Sequence, residues 1–188
     1  MDNSTSRPSR SALYWVVLLA SALIVFAIDQ GAKAWVTSHL VLGETWVPIP
    51  ALQDVLTITR SANSGAAFSL LPQAGDLFLL VALGMIVAIL LFYRRMPEGH
   101  WLDRVALGLL LGGVAGNAMD RIRLGSVVDF VHVQLRPYIS NVSNFADHAI
   151  VIGIGILFIT QWIGNRDAAA SPVAQAEPPP EDAPTVKL

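Results

Sequence analysis

Four long stretches of the chain are almost entirely apolar, and polar residues are concentrated between them. The stretches cover residues 12–28, 77–93, 101–119 and 145–163. Each is close to the ~20 residues that an α-helix needs to cross a bilayer. Because the hydrocarbon core holds no water to satisfy free backbone groups, each stretch is predicted to form a transmembrane helix.

The first stretch has a second interpretation. Arg7 and Arg10 precede it, and Val25-Phe26-Ala27 near its end resembles the cleavage site of a secretory signal. Three further apolar stretches follow, so an uncleaved transmembrane helix is the simpler interpretation.

The polar segments between these stretches show a two-residue period instead. Apolar and polar positions alternate in residues 55–60, VLTITR, and in residues 126–133, SVVDFVHV, and such alternation is typical of strands. Residues 46–50, WVPIP, are predicted to be an edge strand, where proline is tolerated. Asn63-Ser64-Gly65 predicts a turn. The fold class is therefore a mainly α membrane protein with four transmembrane helices and a small sheet on the outer membrane surface.

Composition divides the chain into three parts. Residues 1–11 form a polar lead, and residues 12–166 form the membrane domain with outer segments 29–76 and 120–144. Residues 167–188 are rich in Pro and Ala and are predicted to be a disordered tail.

The positions of Lys and Arg predict the orientation. The short connection between the second and third stretches contains Arg94 and Arg95, with Arg104 just beyond it. The inner segments have six cations and the outer segments five, but the outer segments are much longer. Both termini are therefore predicted to be cytoplasmic.

Composition excludes several function classes. Only 14% of residues are charged, against about 25% in soluble domains, and a net charge of −2 gives no basis for nucleic-acid binding. The chain contains no cysteine, which excludes disulfides, thiolate catalysis and Cys-ligated zinc. It also lacks the H-E-x-x-H motif of metalloproteases and the G-x-S-x-G motif of serine hydrolases.

Polar residues collect at the outer ends of the predicted helices, and the inner ends show nothing comparable. They are four aspartates, two asparagines, one lysine and one arginine: Asp29, Lys33, Asn117, Asp120, Arg121, Asp129, Asn144 and Asp147. Ionisable groups at membrane depth are costly, so they mark a candidate functional site.

Several members of this set also have a structural interpretation. Asp29 and Lys33 are four residues apart and could form an ordinary helix-end pair. The glycines of residues 112–116, GGVAG, are typical of close helix packing. Asn144 and Asp147 have the spacing of a capping box.

Asp120 needs a partner more than the others do, because the helix dipole disfavours an anion at a helix C-terminus. Arg121 or Lys33 could supply it. Two neighbouring carboxylates that share a proton could activate water and polarise a peptide carbonyl. The same residues could instead serve as a relay in a proton- or ion-coupled transporter, or as an interface in a non-enzymatic assembly factor. A transporter predicts polar residues at the midplane, and the second stretch has none.

Five sequence blocks resemble, in order, the conserved blocks of the bacterial lipoprotein signal peptidases, also called signal peptidase II. They are DQGAK at 29–33, NSGAAF at 63–68, GGVAGNAMDR at 112–121, GSVVDF at 125–130 and NFAD at 144–147. His148 departs from the family pattern, which commonly has a small residue there. It could perturb the protonation of the site, or it could be a solvated residue at the membrane surface.

The resemblance implies an intramembrane aspartyl endopeptidase with a small extracytoplasmic β-cradle beside its four helices. Its substrates would be diacylglyceryl-modified prolipoproteins, cut just before the lipidated cysteine. The expected location is the cytoplasmic (inner) membrane, with multiple spans and the active site near the extracytoplasmic leaflet. The family uses no metal or other cofactor, contacts membrane lipids and is inhibited by globomycin-like cyclic peptides. We expect a monomer.

The resemblance also assigns residue roles by motif position. The catalytic pair would be Asp129 and Asp147. The residues that support the site or bind substrate would be Asp29, Lys33, Asn63, Gly65, Asn117, Asp120, Arg121 and Asn144.

Overall fold

The computed structural model describes residues 10–65, 74–96, 101–135 and 139–170. Three sequence predictions fall partly outside these ranges: the polar lead up to residue 9, the second half of the NSGAAF block, and the tail from residue 171 onward.

Four long α-helices form the membrane domain. They are α1 at Arg10–His39, α2 at Ala74–Arg94, α3 at Trp101–Leu124 and α4 at Phe145–Ala170. Each is long and apolar enough to cross a membrane. The predicted architecture of four transmembrane helices is therefore confirmed.

All four helices extend beyond their predicted ranges, and α1 and α4 extend furthest. Helix α1 continues past Ile28 to His39, so Asp29 and Lys33 lie within the helix. The first charged residue suggested an end, but the charges are paired across the bundle and do not interrupt the backbone. Helix α4 continues to Ala170, so residues 167–170, which composition assigned to the tail, are helical.

Helix α3 lies at the centre of the bundle and is the most buried of the four candidate spans. The glycines of α3 allow the neighbouring helices to approach its backbone closely. A Cβ on Gly108 or Gly112 would collide with backbone oxygens of α1, and one on Gly113 would collide with the carbonyl oxygen of Ala146 in α4. The predicted close helix packing at residues 112–116 is confirmed.

Helix α3 is capped by Gly125, which follows its last residue, Leu124. Gly125 has a φ of 71°, and its N–H donates to the Arg121 carbonyl at 3.0 Å, which forms a left-handed C-terminal cap.

A four-stranded antiparallel sheet covers one end of the bundle. Its strands, in spatial order, are β1 at Thr45–Trp46, β2 at Leu56–Asn63, β3 at Val127–Leu135 and β4 at Ile139–Ser143. The two strands predicted from alternation appear as β2 and β3.

The edge of the sheet differs from the prediction. Strand β1 is at the edge, as expected, but it stops at Trp46, and a short 3-10 helix spans Pro50–Leu52. Prolines at 48 and 50 cannot donate to a strand ladder, which explains the early end. Strand β4 was not predicted, since ISNVS carries little alternation.

The sheet is held against α1 by a small apolar core. Val36 and Leu40 of α1 pack with Phe130 and Val131 of β3. Strand β4 leads through a single residue, Asn144, into α4. Together these contacts place β3 and the start of α4 side by side, next to the second half of α1.

A smaller polar cluster occupies the opposite end of the bundle, contrary to the expectation that this end holds nothing comparable. Arg104 and Asp103 at the start of α3 are both buried. Arg104 donates to the Tyr93 hydroxyl (2.9 Å) and lies 3.9 Å from the centre of the Tyr14 ring. Asp103 accepts a hydrogen bond from Thr160 of α4. The sequence concealed this cluster because two of its partners are tyrosines within apolar stretches.

Candidate active site

Asp129 and Asp147 come from different elements and meet where β3 passes the start of α4. Asp129 lies in β3 opposite Ser61 of β2, next to an irregularity in the pairing between Ile58 and Ser61. It is 3% exposed. Asp147 lies in the first turn of α4 and is half-buried.

Asn144 joins the two carboxylates. Its side-chain amide donates to Asp129 Oδ1 at 2.6 Å, and its backbone N–H donates to Asp147 Oδ2 at 3.3 Å. Its Oδ1 accepts the backbone N–H of Asp147 at 2.9 Å. The last two bonds are the reciprocal bonds of a capping box, so the predicted cap is present. One residue therefore starts α4, orients Asp147 and holds Asp129.

The second oxygen of Asp129 is held by Asn63 at the end of β2. Asn63 Nδ2 donates to Asp129 Oδ2 at 2.9 Å, while Asn63 Oδ1 accepts the N–H of Gly65 at 2.9 Å. Gly65 has a φ of 81°, and the ring of Phe78 occupies the position that a Cβ would need. The predicted turn thus orients the Asn63 side chain so that its NH₂ group donates to Asp129.

Burial raises the pKa of the Asp129 carboxyl above its ordinary value. The hydrogen bonds from Asn63 and Asn144 act in the opposite direction, and the nearby charge of Asp147 raises the pKa further. Asp129 is consequently suited to hold a proton.

Asp147 is positioned from α3. Asn117 Nδ2 donates to Asp147 Oδ1 at 2.7 Å, and Asn117 Oδ1 accepts from Lys33 Nζ at 2.9 Å. The amide orientation of Asn117 is therefore set by the lysine, which leaves its NH₂ group to face the carboxylate.

Lys33 is the centre of the supporting network. Its ammonium lies 2.7 Å from Asp29 Oδ2 and 2.8 Å from Asp120 Oδ2, and all three side chains are almost completely buried. Asp29 Oδ1 also accepts the N–H of Ala146, a free donor in the first turn of α4. The network ties α1, α3 and α4 together directly beneath the two aspartates.

Asp120 is partnered by Lys33 rather than by the adjacent Arg121. Its two oxygens also accept the backbone N–H of Val128 (3.1 Å) and the side chain of Gln30 (3.0 Å). Arg121 instead donates to the carbonyl of Asn117 at 3.3 Å and lies 5.4 Å from the centre of the Phe78 ring.

Sequence reasoning missed Gln30. Besides Asp120, its amide nitrogen contacts Asp29 Oδ2 (3.3 Å) and the carbonyl of Gly116 (3.2 Å). Its position within the DQGAK block was the available signal, but an uncharged residue on a helix drew no attention.

His148 is exposed and turns toward Ser143, with Nε2 3.2 Å from the serine hydroxyl. This placement fits a solvated surface residue better than a partner of the pair. Within the four described ranges, His, Asp and Glu form no group of three or more that could hold a metal ion.

Two buried or half-buried carboxylates, one with a raised pKa, form a set suited to proton transfer and water activation. The family model described as Signal peptidase (SPase) II matches residues 21–163. The chain belongs to the signal peptidase II family. It is a peptidase and a multi-pass membrane protein.

Curated relatives and solved structures agree with this membership. A lipoprotein signal peptidase of Desulfitobacterium hafniense is 38% identical over 143 residues, covering 76% of this chain and 91% of the relative. One from Xanthomonas campestris is 36% identical over 171 residues, covering 88% and 99%. A solved bacterial membrane enzyme, determined by the in meso method at 1.9 Å, matches with a TM-score of 0.71 and 28% identity, covering 77% of this chain and 91% of the other.

Proposed function

We propose that this peptidase is an aspartyl endopeptidase that removes the signal peptide from diacylglyceryl-modified prolipoproteins, cutting just before the lipidated cysteine. Family membership and the name of the relatives, lipoprotein signal peptidase, support the substrate class. The observation that carries the aspartyl mechanism is the shared contact of Asn144 with both Asp129 and Asp147.

The two carboxylates take different roles at the start of the reaction. Asp147 acts as the base and is held by donors from Asn117 and the Asn144 backbone. Asp129 holds the proton, in keeping with the raised pKa of its carboxyl. Two nearby carboxylates do not both ionise readily, so the pair has one acid and one base at neutral pH.

The bond is broken in two steps. Asp147 takes a proton from water as the water oxygen attacks the scissile carbonyl carbon, and Asp129 donates its proton to the carbonyl oxygen. The tetrahedral intermediate then collapses. Asp147 gives its proton to the leaving amide nitrogen, and Asp129 recovers one from a hydroxyl. The products are the carboxyl end of the signal peptide and a free amine on the lipidated cysteine, and both aspartates return to their starting states.

The remaining residues position this pair. Asn117 and Lys33 hold Asp147, while Asp29 and Asp120 compensate the charge of Lys33. Asn63 holds Asp129 and, with Gly65, is placed to contact the substrate backbone. Arg121 lies beside the site against Phe78. No cofactor or metal takes part in this scheme, and the enzyme acts as a monomer.

The length of α1 supports a site near the extracytoplasmic leaflet. Its candidate span covers 28 residues, or about 42 Å at 1.5 Å per residue, whereas the hydrocarbon core is about 30 Å thick. Asp29 and Lys33 lie in the later part of this helix. With both termini in the cytoplasm, the aspartates lie at the outer boundary of the membrane, where the acyl chains of the substrate remain in lipid. The enzyme would then reside in the cytoplasmic membrane.

Cleavage of a defined precursor tests the proposal. The purified chain in detergent is incubated with a diacylglyceryl-modified prolipoprotein and with the same precursor lacking the lipid, and mass spectrometry locates the cut. We expect one cut, before the lipidated cysteine, and its suppression by globomycin. Equal cleavage of the unmodified precursor, or a cut elsewhere, would contradict the proposed substrate class.

A further inference from the structure

A polar cavity adjoins the supporting network, between the later part of α1, β2 and the end of α3. Its volume is about 360 Å³. Neither Asp129 nor Asp147 is among the residues that line it. The lining residues used below are three cations, one carboxylate and two leucines: Lys33, Arg60, Arg123, Asp120, Leu42 and Leu124.

The charges in this cavity do not balance locally. Lys33 is already paired with Asp29 and Asp120, and Asp120 is also held by Gln30 and by the Val128 N–H. In the described part of the chain, neither Arg60 nor Arg123 forms an ion pair with a carboxylate. Two guanidinium groups thus add uncompensated positive charge to one half-open cavity.

Arg60 is held rigidly. Its Nη1 donates to the carbonyls of Thr37 (3.2 Å) and Leu40 (2.7 Å) at the end of α1, and it is half-buried. Its Nε and Nη2 make no hydrogen bond to any described residue. A guanidinium fixed on one side, with donors left over, is suited to bind phosphate, since its planar set of donors matches phosphate oxygens.

The lining of the cavity includes two exposed leucines. Leu42 is 65% exposed and Leu124 is 57% exposed. Trp35, which follows the lining residue Ala34 in α1, has its ring centre 5.3 Å from that of Trp46, and both tryptophans are exposed. Tryptophans of this kind mark the headgroup level of a bilayer. The lining therefore combines cationic side chains with exposed leucines, beside a segment of α1 whose tryptophan is of the kind found at the headgroup level.

We propose that this cavity binds a phosphate group, which in the membrane belongs to an anionic phospholipid. The headgroup of this lipid contacts Arg60 and Arg123. Its acyl chains pass Leu42 and Leu124. The cavity does not include Asp129 or Asp147, so a bound lipid stabilises the junction of α1, β2 and α3 without being a substrate.

Thermal unfolding in a neutral detergent tests the proposal. Phosphatidylglycerol added in a hundredfold excess over its Kd should raise the Tm of the full chain by roughly 5 °C. Phosphatidylcholine should raise the Tm much less, because its choline group neutralises the charge of its phosphate. Arg123→Gln should lose most of the phosphatidylglycerol effect. Arg123 is exposed and makes no hydrogen bond within the described chain, so the variant should fold.

Arg95→Gln is the matched control, because it removes the same charge from an exposed position just after α2, away from the cavity. It should keep the full Tm rise. An equal rise for both variants, or an equal rise with phosphatidylcholine, would overturn the proposal. Inorganic phosphate alone reproducing the full effect would retain the phosphate site but overturn phospholipid as its ligand. Native mass spectrometry supplies an independent readout, with phosphatidylglycerol retained by the parent chain and by Arg95→Gln but not by Arg123→Gln.

Discussion

At the scale of single residues, Asn144 has the most concentrated set of roles. It caps α4, holds Asp129 through its amide and orients Asp147 through its backbone N–H. A capping residue and a residue that positions catalytic groups are usually considered separately. Here the same three contacts serve both purposes, so stability and activity should fall together when Asn144 is changed.

Asn144→Ala should lower the free energy of unfolding by about 1–2 kcal/mol, the usual cost of a lost N-cap. Losing the bond to Asp129 should reduce kcat/KM by about 10- to 100-fold, since leaving a buried polar group without its hydrogen-bond partner costs about 1–3 kcal/mol. Asn141→Ala, an exposed position in β4, serves as the control and should change neither quantity. A variant with full activity would contradict the positioning role.

The pH profile should respond to Asn63. Its hydrogen bond lowers the pKa of Asp129, so Asn63→Ala should raise that pKa further. Asp129 must be protonated for catalysis, and in the variant its higher pKa lets it keep the proton to a higher pH. The alkaline limb of kcat/KM should therefore move to higher pH, whereas Ser64→Ala in the same turn should leave it unmoved. A shift to lower pH would show that Asp129 is not the acid.

Sequence reasoning reached the acids and the cap but not their exact partners. The spacing of Asn144 and Asp147 is local, so the capping box was predictable. The choice of Lys33 over Arg121 for Asp120 was not, because it depends on how closely α1 approaches α3. Gln30 was missed for the same reason, since its partners lie on α3.

At the scale of elements, the packing of α3 determines the positions of the other parts of the site. Gly108, Gly112 and Gly113 let α1 and α4 approach its backbone on two sides. These contacts bring Lys33 of α1 and Ala146 of α4 within reach of the same buried network. Without small residues here, the two aspartates would have no common support.

Gly112→Ala should destabilise the protein by about 1–3 kcal/mol, because the new methyl group would collide with the backbone of α1 at Ala22. Gly84→Ala in α2 is the matched control, since a Cβ there meets nothing within 4 Å. Its stability should be unchanged or slightly higher. Thermal unfolding of both in the same detergent makes the comparison, and equal stabilities would refute the packing role.

Hydropathy predicted the existence of the four helices well and their ends poorly. Helix α1 passes through charged residues because Lys33 neutralises two acids from the bundle interior, which no local pattern reveals. Strands β2 and β3 were predictable from alternation. Strand β4 was not, because Ile139–Ser143 are mostly polar or exposed and form a strand by pairing with β3.

At the scale of the whole molecule, the two ends of the bundle differ in kind. One end has the sheet, the aspartates and the cationic cavity, and the other has the compact cluster around Arg104. The proposed function places the first end away from the cytoplasm.

Single-cysteine labelling tests this orientation directly, since the natural chain contains no cysteine. In intact spheroplasts, a membrane-impermeant maleimide should label Asn141→Cys in β4 and should not label Arg95→Cys until the membrane is permeabilised. Both positions are exposed in the structure. The reverse pattern would place the site in the cytoplasm and exclude the proposed topology.

The central claim is that Asp129 and Asp147 together perform the cleavage. The most direct measurement is the rate at which Asp129→Asn and Asp147→Asn, each purified in folded form, cleave a lipid-modified prolipoprotein. We expect each to lose about 10²–10⁴-fold or more in kcat, the usual contribution of a general acid or base. Asp54→Asn, which changes an exposed aspartate of the outer segment, should retain the parental rate. Normal cleavage by either Asp129→Asn or Asp147→Asn would contradict the account.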